Sequence, residues 1–338
     1  MDDKLNEMPL VELHLHLDGA VGIDKSFEIL KRDNIDLGVP VNTKEDLKNL
    51  LLAGPNCKDL NEFLEKFDYT TKFLQTKENI KDITEDLVLR LAEDKVIYAE
   101  IRFAPQLHTE NMSMEEAVKA AIDGCNEALK KCDTIKVKLI LCMMRGGSYS
   151  DNLETINIAS RFLNDGVGGI DLAGAEAIYK TDEYKELFDI AKSKNVPFTI
   201  HAGEADGPQS ITDALDCGTS RIGHGVRIVE DENVLERAKE KGTLFEVCPT
   251  SNLSTKCFDK IENHSIKKMF DAGLNICIST DDPVITGVAL RDEYRLVEKT
   301  FGFTIEDFVK MNRNSINASF MNENDKIMYN HILDSYLS

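Results

Sequence analysis

His14-Leu15-His16-Leu17-Asp18-Gly19 ends the first apolar run of the chain, Pro9–Asp18, and its alternation decides how the rest is read. Alternate residues of a strand share a face. His14, His16 and Asp18 therefore point one way, and Leu13, Leu15 and Leu17 the other. In a closed barrel wrapped by helices, the leucines meet the helices and the polar set faces inward. Two imidazoles about 7 Å apart on one strand face can converge on one metal ion. The same pair on an edge strand would be two partly exposed histidines.

Seven further runs follow: Val96–Pro105, Lys136–Met144, Val167–Gly174, Val196–Glu204, Arg221–Gly225, Thr243–Asn252 and Asn275–Pro283. Between them lie stretches such as Ser113–Cys132 and Asp182–Lys194, with apolar residues at helical spacing and polar faces. Eight strands alternating with helices predict an α/β chain folded as a (β/α)8 TIM barrel. The long gap after the first run holds two helix-like stretches, Thr43–Leu52 and Leu60–Arg90, predicting extra helices over one end of the barrel.

Active sites of this fold lie at the carboxyl ends of the strands. Reactive residues should therefore gather where each apolar run stops, and they do. The fifth run ends Thr199-Ile200-His201-Ala202-Gly203-Glu204, the sixth reads Arg221-Ile222-Gly223-His224-Gly225, and the eighth ends Ile278-Ser279-Thr280-Asp281-Asp282-Pro283. Four of the seven histidines fall at such ends; His108, His264 and His331 read as surface residues. Three imidazoles and one carboxylate suit zinc with one position open for water. Water on zinc ionises near neutral pH, and other groups must then move protons. A fourth histidine, a glutamate and a second aspartate stand at the same rim.

With these residues placed, the chain resembles the adenosine deaminase family of the amidohydrolase superfamily nearly end to end. The motifs are His14-Leu-His16-Leu-Asp18-Gly19, Asp171-Leu-Ala-Gly174, His201-Ala-Gly-Glu204, Gly223-His224-Gly225 and Ser279-Thr-Asp281-Asp282-Pro283. The resemblance implies one Zn2+ per chain on His14, His16, His201 and Asp281. It implies that His224 orients the attacking water and helps take its proton, that Asp281 and Glu204 join it in catalysis, and that Glu204 presents a protonated carboxyl to purine N1. His16, Asp18, Gly174 and Asp282 would line the substrate site, with Asp18 at the ribose 5′ end, the Gly174 backbone at N3 and Asp282 at N7. The expected substrates are adenosine and 2′-deoxyadenosine, giving inosine or its deoxy form and ammonia in purine salvage. Leu60, Phe63, Leu64 and Phe67 resemble the family's apolar lid. Glu12 and Asp171 remain open between supporting a metal ligand and being ordinary buried polar residues.

Rival readings are narrower. Adenine-acting relatives tend to carry glutamate where Asp18 stands, which favours a nucleoside; AMP is disfavoured because Asp18 would repel its phosphate. No lysine ends the fourth run, so a two-metal centre is not expected. The H-x-E and P-C-x-x-C set of the cytidine-deaminase type is missing, as are phosphate-cradling glycine motifs. An inactive barrel serving as a binding module would keep the fold while lacking proton carriers, and none is lacking.

Bulk properties agree. The 338 residues, 42% hydrophobic and 30% charged, read as one globular metal-dependent hydrolase domain spanning 1–338. A formal net charge of -20 disfavours nucleic acid as partner. No run of about 18 apolar residues spans a membrane. The start lacks a basic-then-apolar leader, and none of the eight cysteines forms a C-x-x-C pair, so a reducing cytoplasm is expected.

Overall fold

The barrel closes through two backbone seams. Ile170 N–H donates to Pro197 O at 2.9 Å and Thr199 N–H to Ile170 O at 3.1 Å. On the other side, Asp281 N–H donates to His14 O and His16 N–H to Asp281 O, both at 2.8 Å. These seams join two four-stranded parallel sheets, ordered β1-β2-β3-β4 and β5-β6-β7-β8. The strands are β1 Leu10–His16, β2 Val96–Phe103, β3 Lys136–Met144, β4 Val167–Ala173, β5 Ile200–Ala202, β6 Arg221–His224, β7 Leu244–Val247 and β8 Asn275–Ile278. This is a computed structural model, and it describes residues 2–53, 57, 63 and 65–337.

The parity of the strands holds. Leu13, Leu15, Leu141, Leu172, Phe245 and Ile276 belong to the main apolar core shared with the helices. The alternate residues Glu12, His14, Glu100, Arg102, Asp171, Arg221 and Glu246 are fully buried. The barrel interior is therefore charged, and its groups must neutralise one another.

Each helix starts where local chemistry dictates. Ser113 and Glu116 form a capping box before Met114–Lys131, as do Thr43 and Asp46 before Lys44–Leu51; each pair satisfies backbone N–H groups that would otherwise lack partners. Between β1 and β2 lie the helices Ile23–Asp33, Lys44–Leu51, Phe67–Thr70 and Lys77–Glu93. Leu60 and Leu64 lie outside the described residues. The seventh run is shorter as a strand than expected, because Pro249 opens a helix, Pro249–Ser254. The fifth, Ile200–Ala202, is shorter too: Pro197 has no N–H for the ladder, and Phe198 meets β4 only in a single bridge to Ile170. Among the described residues no helix is long and apolar enough to cross a membrane.

Candidate active site

The strand ends bring the expected residues together. Ligand atoms of His14, His201, His224 and Asp281 all lie within 4.8 Å of one another. His16 is outside that foursome, yet its Nε2 is 3.3 Å from Asp281 Oδ1 and 3.3 Å from His201 Nε2. His14 Nε2 is 3.2 Å from the same Asp281 oxygen. Four atoms about 2.0–2.2 Å from a tetrahedral centre stand about 3.3–3.6 Å apart. Three of the six spacings among His14, His16, His201 and Asp281, at 3.2, 3.3 and 3.3 Å, lie close to that edge length.

Further observations fit a cation to this donor set. His14 Nε2 is buried without a hydrogen-bond partner. Behind the ring, His14 Nδ1 meets Glu246 Oε2 at 2.9 Å, and His201 Nδ1 meets Asp171 Oδ2 at 2.8 Å. Such carboxylates orient a ligating imidazole and leave its other nitrogen bare. Charge agrees as well. Arg102 pairs with Asp171 and Glu246, and Arg221 with Glu100 and Glu246, all fully buried. With Asp281, these two guanidiniums face four carboxylates, a surplus of two negative charges that a divalent cation would neutralise.

Burial and neighbours separate the titratable groups. Burial alone would raise Asp281, but the imidazoles of His14, His224 and His16 outweigh it and hold the carboxylate well below its usual range. Burial holds His16 well below the ordinary imidazole value and brings His201 down to about 4. Burial and Arg102 oppose protonation of His14, but Asp281 and Glu246 prevail and raise it to about 8. Burial, reinforced by the Asp281, Asp18 and Glu204 carboxyls, pushes Asp282 well above the carboxylate range. Burial also raises Glu204, and it brings Asp18 to about 6. Two kinds of carboxyl thus share one rim: Asp281, held ionised among the histidines, and Asp282, Glu204 and Asp18, whose burial favours the protonated form.

A cavity of about 230 Å³ joins these groups. His16, Gly174, His201, Glu204, His224, Asp281 and Asp282 all line it, with Phe63 and Phe67. The rings of Phe63 and Phe67 meet edge-on, 6.1 Å apart. Asp18 does not line the cavity; it is buried with Oδ1 unpartnered. Larger hollows near Pro197 and Phe320 open toward the amino ends of the strands, away from the histidines.

Backbone strain marks the same place. His224 (φ 59°) and Asp281 (φ 65°) occupy the left-handed region that few non-glycine residues adopt. Gly174 sits at φ 102°, a conformation that suits glycine, and so turns its backbone to the cavity. A Cβ on Gly223 would come within 2.9 Å of the His14 ring.

Several expectations need revision. His108 and His264 are buried, not surface residues; only His331 of the three is exposed. Asp171 supports His201. Glu12 touches no imidazole; its carboxyl accepts the His14 N–H and the Thr280 N–H and hydroxyl, tying β1 to the end of β8. Sequence reasoning missed Glu246, Arg102 and Arg221, although single charges inside apolar strands were a readable signal. It also missed Ser251, whose hydroxyl donates to Asp281 Oδ2 at 2.6 Å. Glu176 was missed too: its carboxylate accepts the N–H groups of Gly203, Glu204, Ala205 and Asp206, fixing the loop that carries Glu204.

A closed eight-stranded parallel barrel with this donor set at its carboxyl rim defines a metal-dependent hydrolase of the amidohydrolase kind. The adenosine deaminase family model matches residues 9–335. The chain is 40% identical to an adenosine deaminase of Haemophilus ducreyi, covering 98% of each chain. It is 35% identical to that of Clostridium acetobutylicum, covering 96% of this chain and 97% of the other. Its fold matches the crystal structure of an adenine deaminase from Arthrobacter aurescens with a TM-score of 0.87, at 28% identity over 97% of this chain and 99% of that one. The chain belongs to the adenosine deaminase family.

Proposed function

We propose that the chain hydrolyses adenosine and 2′-deoxyadenosine to the 6-oxo nucleoside and ammonia, as one catalytic unit with one zinc ion per chain on His14, His16, His201 and Asp281. The observation that carries this reading is one cavity bordered by three of those donors, His16, His201 and Asp281, and by the carboxyls of Glu204 and Asp282, whose burial favours the protonated form. When bound, zinc makes hydroxide available from water near neutral pH.

The chain's own residues account for the rest. Attack at C6 puts negative charge on the purine. The neutral Glu204 carboxyl gives a proton to N1 and removes that charge. Asp282, held protonated, donates to N7, and the Gly174 N–H donates to N3. His224 orients the water, and the Asp281 carboxylate takes its proton and passes it to the C6 amino group; the C6–N bond then breaks, ammonia leaves, and the C6 hydroxyl returns its proton to Glu204. Phe63 and Phe67 cover the base and exclude bulk solvent. The unpartnered oxygen of Asp18 accepts from the 5′-hydroxyl. A phosphate there would meet a carboxyl instead, which disfavours AMP.

Adenine is the second reading, favoured by the likeness to the Arthrobacter aurescens enzyme. The higher identity to adenosine deaminases and the orphaned Asp18 oxygen favour the nucleoside. The free thiols of Cys125, Cys142, Cys248 and Cys277 suit a reducing cytoplasm. The test is a spectrophotometric deamination assay across adenosine, 2′-deoxyadenosine, adenine and AMP, with metal analysis of the same sample. Turnover of adenine at the rate of adenosine would remove the nucleoside assignment.

A further inference from the structure

His224 has a different partner behind its ring from His14 and His201. His14 Nδ1 backs onto the Glu246 carboxylate, which can only accept a hydrogen, so His14 carries its proton at Nδ1; His201 Nδ1 likewise faces a carboxylate, Asp171, at 2.8 Å. His224 Nδ1 instead lies 3.1 Å from Asn252 Nδ2. The direction of that contact follows from a chain of hydrogen bonds that begins at the backbone.

Ile266 N–H donates to His264 Nδ1 at 3.0 Å, so that nitrogen is bare. His264 is buried against the Phe258 ring and faces no carboxylate in this chain of contacts. Burial holds it neutral, down at about 3, so its proton sits on Nε2. That Nε2 is 3.3 Å from Asn252 Oδ1 and must donate to it. The amide of Asn252 is thereby oriented, with its NH2 toward the site. An amide NH2 has no acceptor capacity. It donates to His224 Nδ1 and, at 3.3 Å, to Glu204 Oε1. A bare Nδ1 leaves the proton of His224 on Nε2.

We propose that Asn252 and His264 are positioning residues that hold His224 as its Nε2–H tautomer, a hydrogen-bond donor toward the reacting centre rather than a ligand of the cation. The inference rests on reading the site as hydrolytic. It explains which four of the five converging groups bind metal. A protonated Nε2 cannot coordinate, so His16 completes the set, although His224 lies within reach of it. The same amide fixes the second proton carrier. Because Glu204 Oε1 accepts from Asn252, the acidic proton belongs on Oε2. His224 Nε2, 3.6 Å from that oxygen and 3.8 Å from Asp281 Oδ2, sits between the two carboxyls and orients what lies there without removing its proton.

The test uses zinc-loaded protein labelled with ¹⁵N-imidazole histidine. Two-bond ¹H–¹⁵N correlation distinguishes Nδ1–H from Nε2–H rings, and loss of one signal set in His224→Gln assigns the ring. His224 and His264 are both expected as Nε2–H, with His224 Nδ1 shifted as a hydrogen-bond acceptor. In Asn252→Leu that shift is lost, and kcat falls about 10–100-fold while KM stays within about threefold. His264→Phe lowers kcat in the same way, and His264→Gln, which keeps a side-chain N–H for Asn252 Oδ1, restores part of it. A proton on His224 Nδ1 in the wild type overturns the proposal. So does an Asn252→Leu protein with unchanged His224 resonances and unchanged kcat. A wild type that leaves adenosine intact but carries His224 as Nε2–H would refute the substrate reading and uphold the tautomer.

Discussion

Glu246 Oε2 lies 2.9 Å from His14 Nδ1, and neither side chain is exposed. Arg102 and Arg221 hold Glu246 as a carboxylate, well below its usual range against the opposing effect of burial. The contacts thus run from two buried cations through one anion to the His14 ring, a proposed zinc ligand. Replacing Glu246 by Gln removes the charge while keeping the shape. Zinc affinity is expected to fall about 10–100-fold, measured by competition with a chromophoric chelator. Thermal stability should fall too, because two guanidiniums lose a buried partner. Unchanged affinity would mean that the Glu246–His14 contact does not tune the ligand.

Glu204→Gln separates proton donation from metal binding. The variant should keep zinc at the wild-type stoichiometry and lose about 10²–10⁴-fold in kcat, since the amide cannot supply a proton at N1. In the wild type, burial raises Glu204 above the ordinary carboxylate value. The proposed role requires the protonated form, so kcat/KM should hold at lower pH and decline as pH rises through that raised value. A pH profile whose alkaline limb is identical in Glu204→Gln would assign that limb elsewhere.

The sequence revealed the site better than it revealed the support of the site. His14, His16, His201, His224, Asp281 and Glu204 end apolar runs, and the rule that barrel sites form at the carboxyl ends of strands sends them to one rim. The supporting groups leave weaker traces. Asp171 stands one residue before Leu172 in a run that already ends in a motif, so its contact with His201 is a matter of barrel curvature. His264 follows the 3-10 turn Ile261–Asn263, a context that reads as surface. Its burial depends on Phe258 and on Asn252 reaching it across a short helix, which no local pattern encodes. Strand ends such as Val247 were overrun because an apolar run cannot reveal where the chain turns into a proline-led helix.

Glu293 gives a stability test away from the histidine cluster. It is fully buried, its carboxyl accepts the Thr250 N–H, and burial raises it to about 8. An acid raised in the folded state binds more protons there than in the unfolded chain. Its contribution to stability is therefore complete below about 4.5 and is lost as pH rises toward about 8. Glu293→Gln removes that dependence. The variant should melt at least about 2 °C above the wild type at pH 9, with the difference vanishing or reversing near pH 4. Calorimetry at the two pH values decides, and a difference of constant size at both would show that Glu293 titrates alike in both states.

On the proposed reading, Asp18 carries the choice between nucleoside and base. Its Oδ1 is buried with no hydrogen-bond partner, which is costly unless a ligand supplies a donor. Burial raises its carboxyl to about 6, so above that pH it is an anion awaiting a hydroxyl. A site built to bond a hydroxyl discriminates strongly against a ligand that lacks one. Asp18→Ala should therefore lower kcat/KM for adenosine roughly 10–100-fold, the worth of one hydrogen bond to a charged group. Turnover of adenine, which has no ribose, should stay within about twofold of the wild type by the same reasoning. Parallel assays of both substrates measure the ratio directly. If the two substrates lose rate equally, Asp18 supports the rim of the barrel and does not read the sugar.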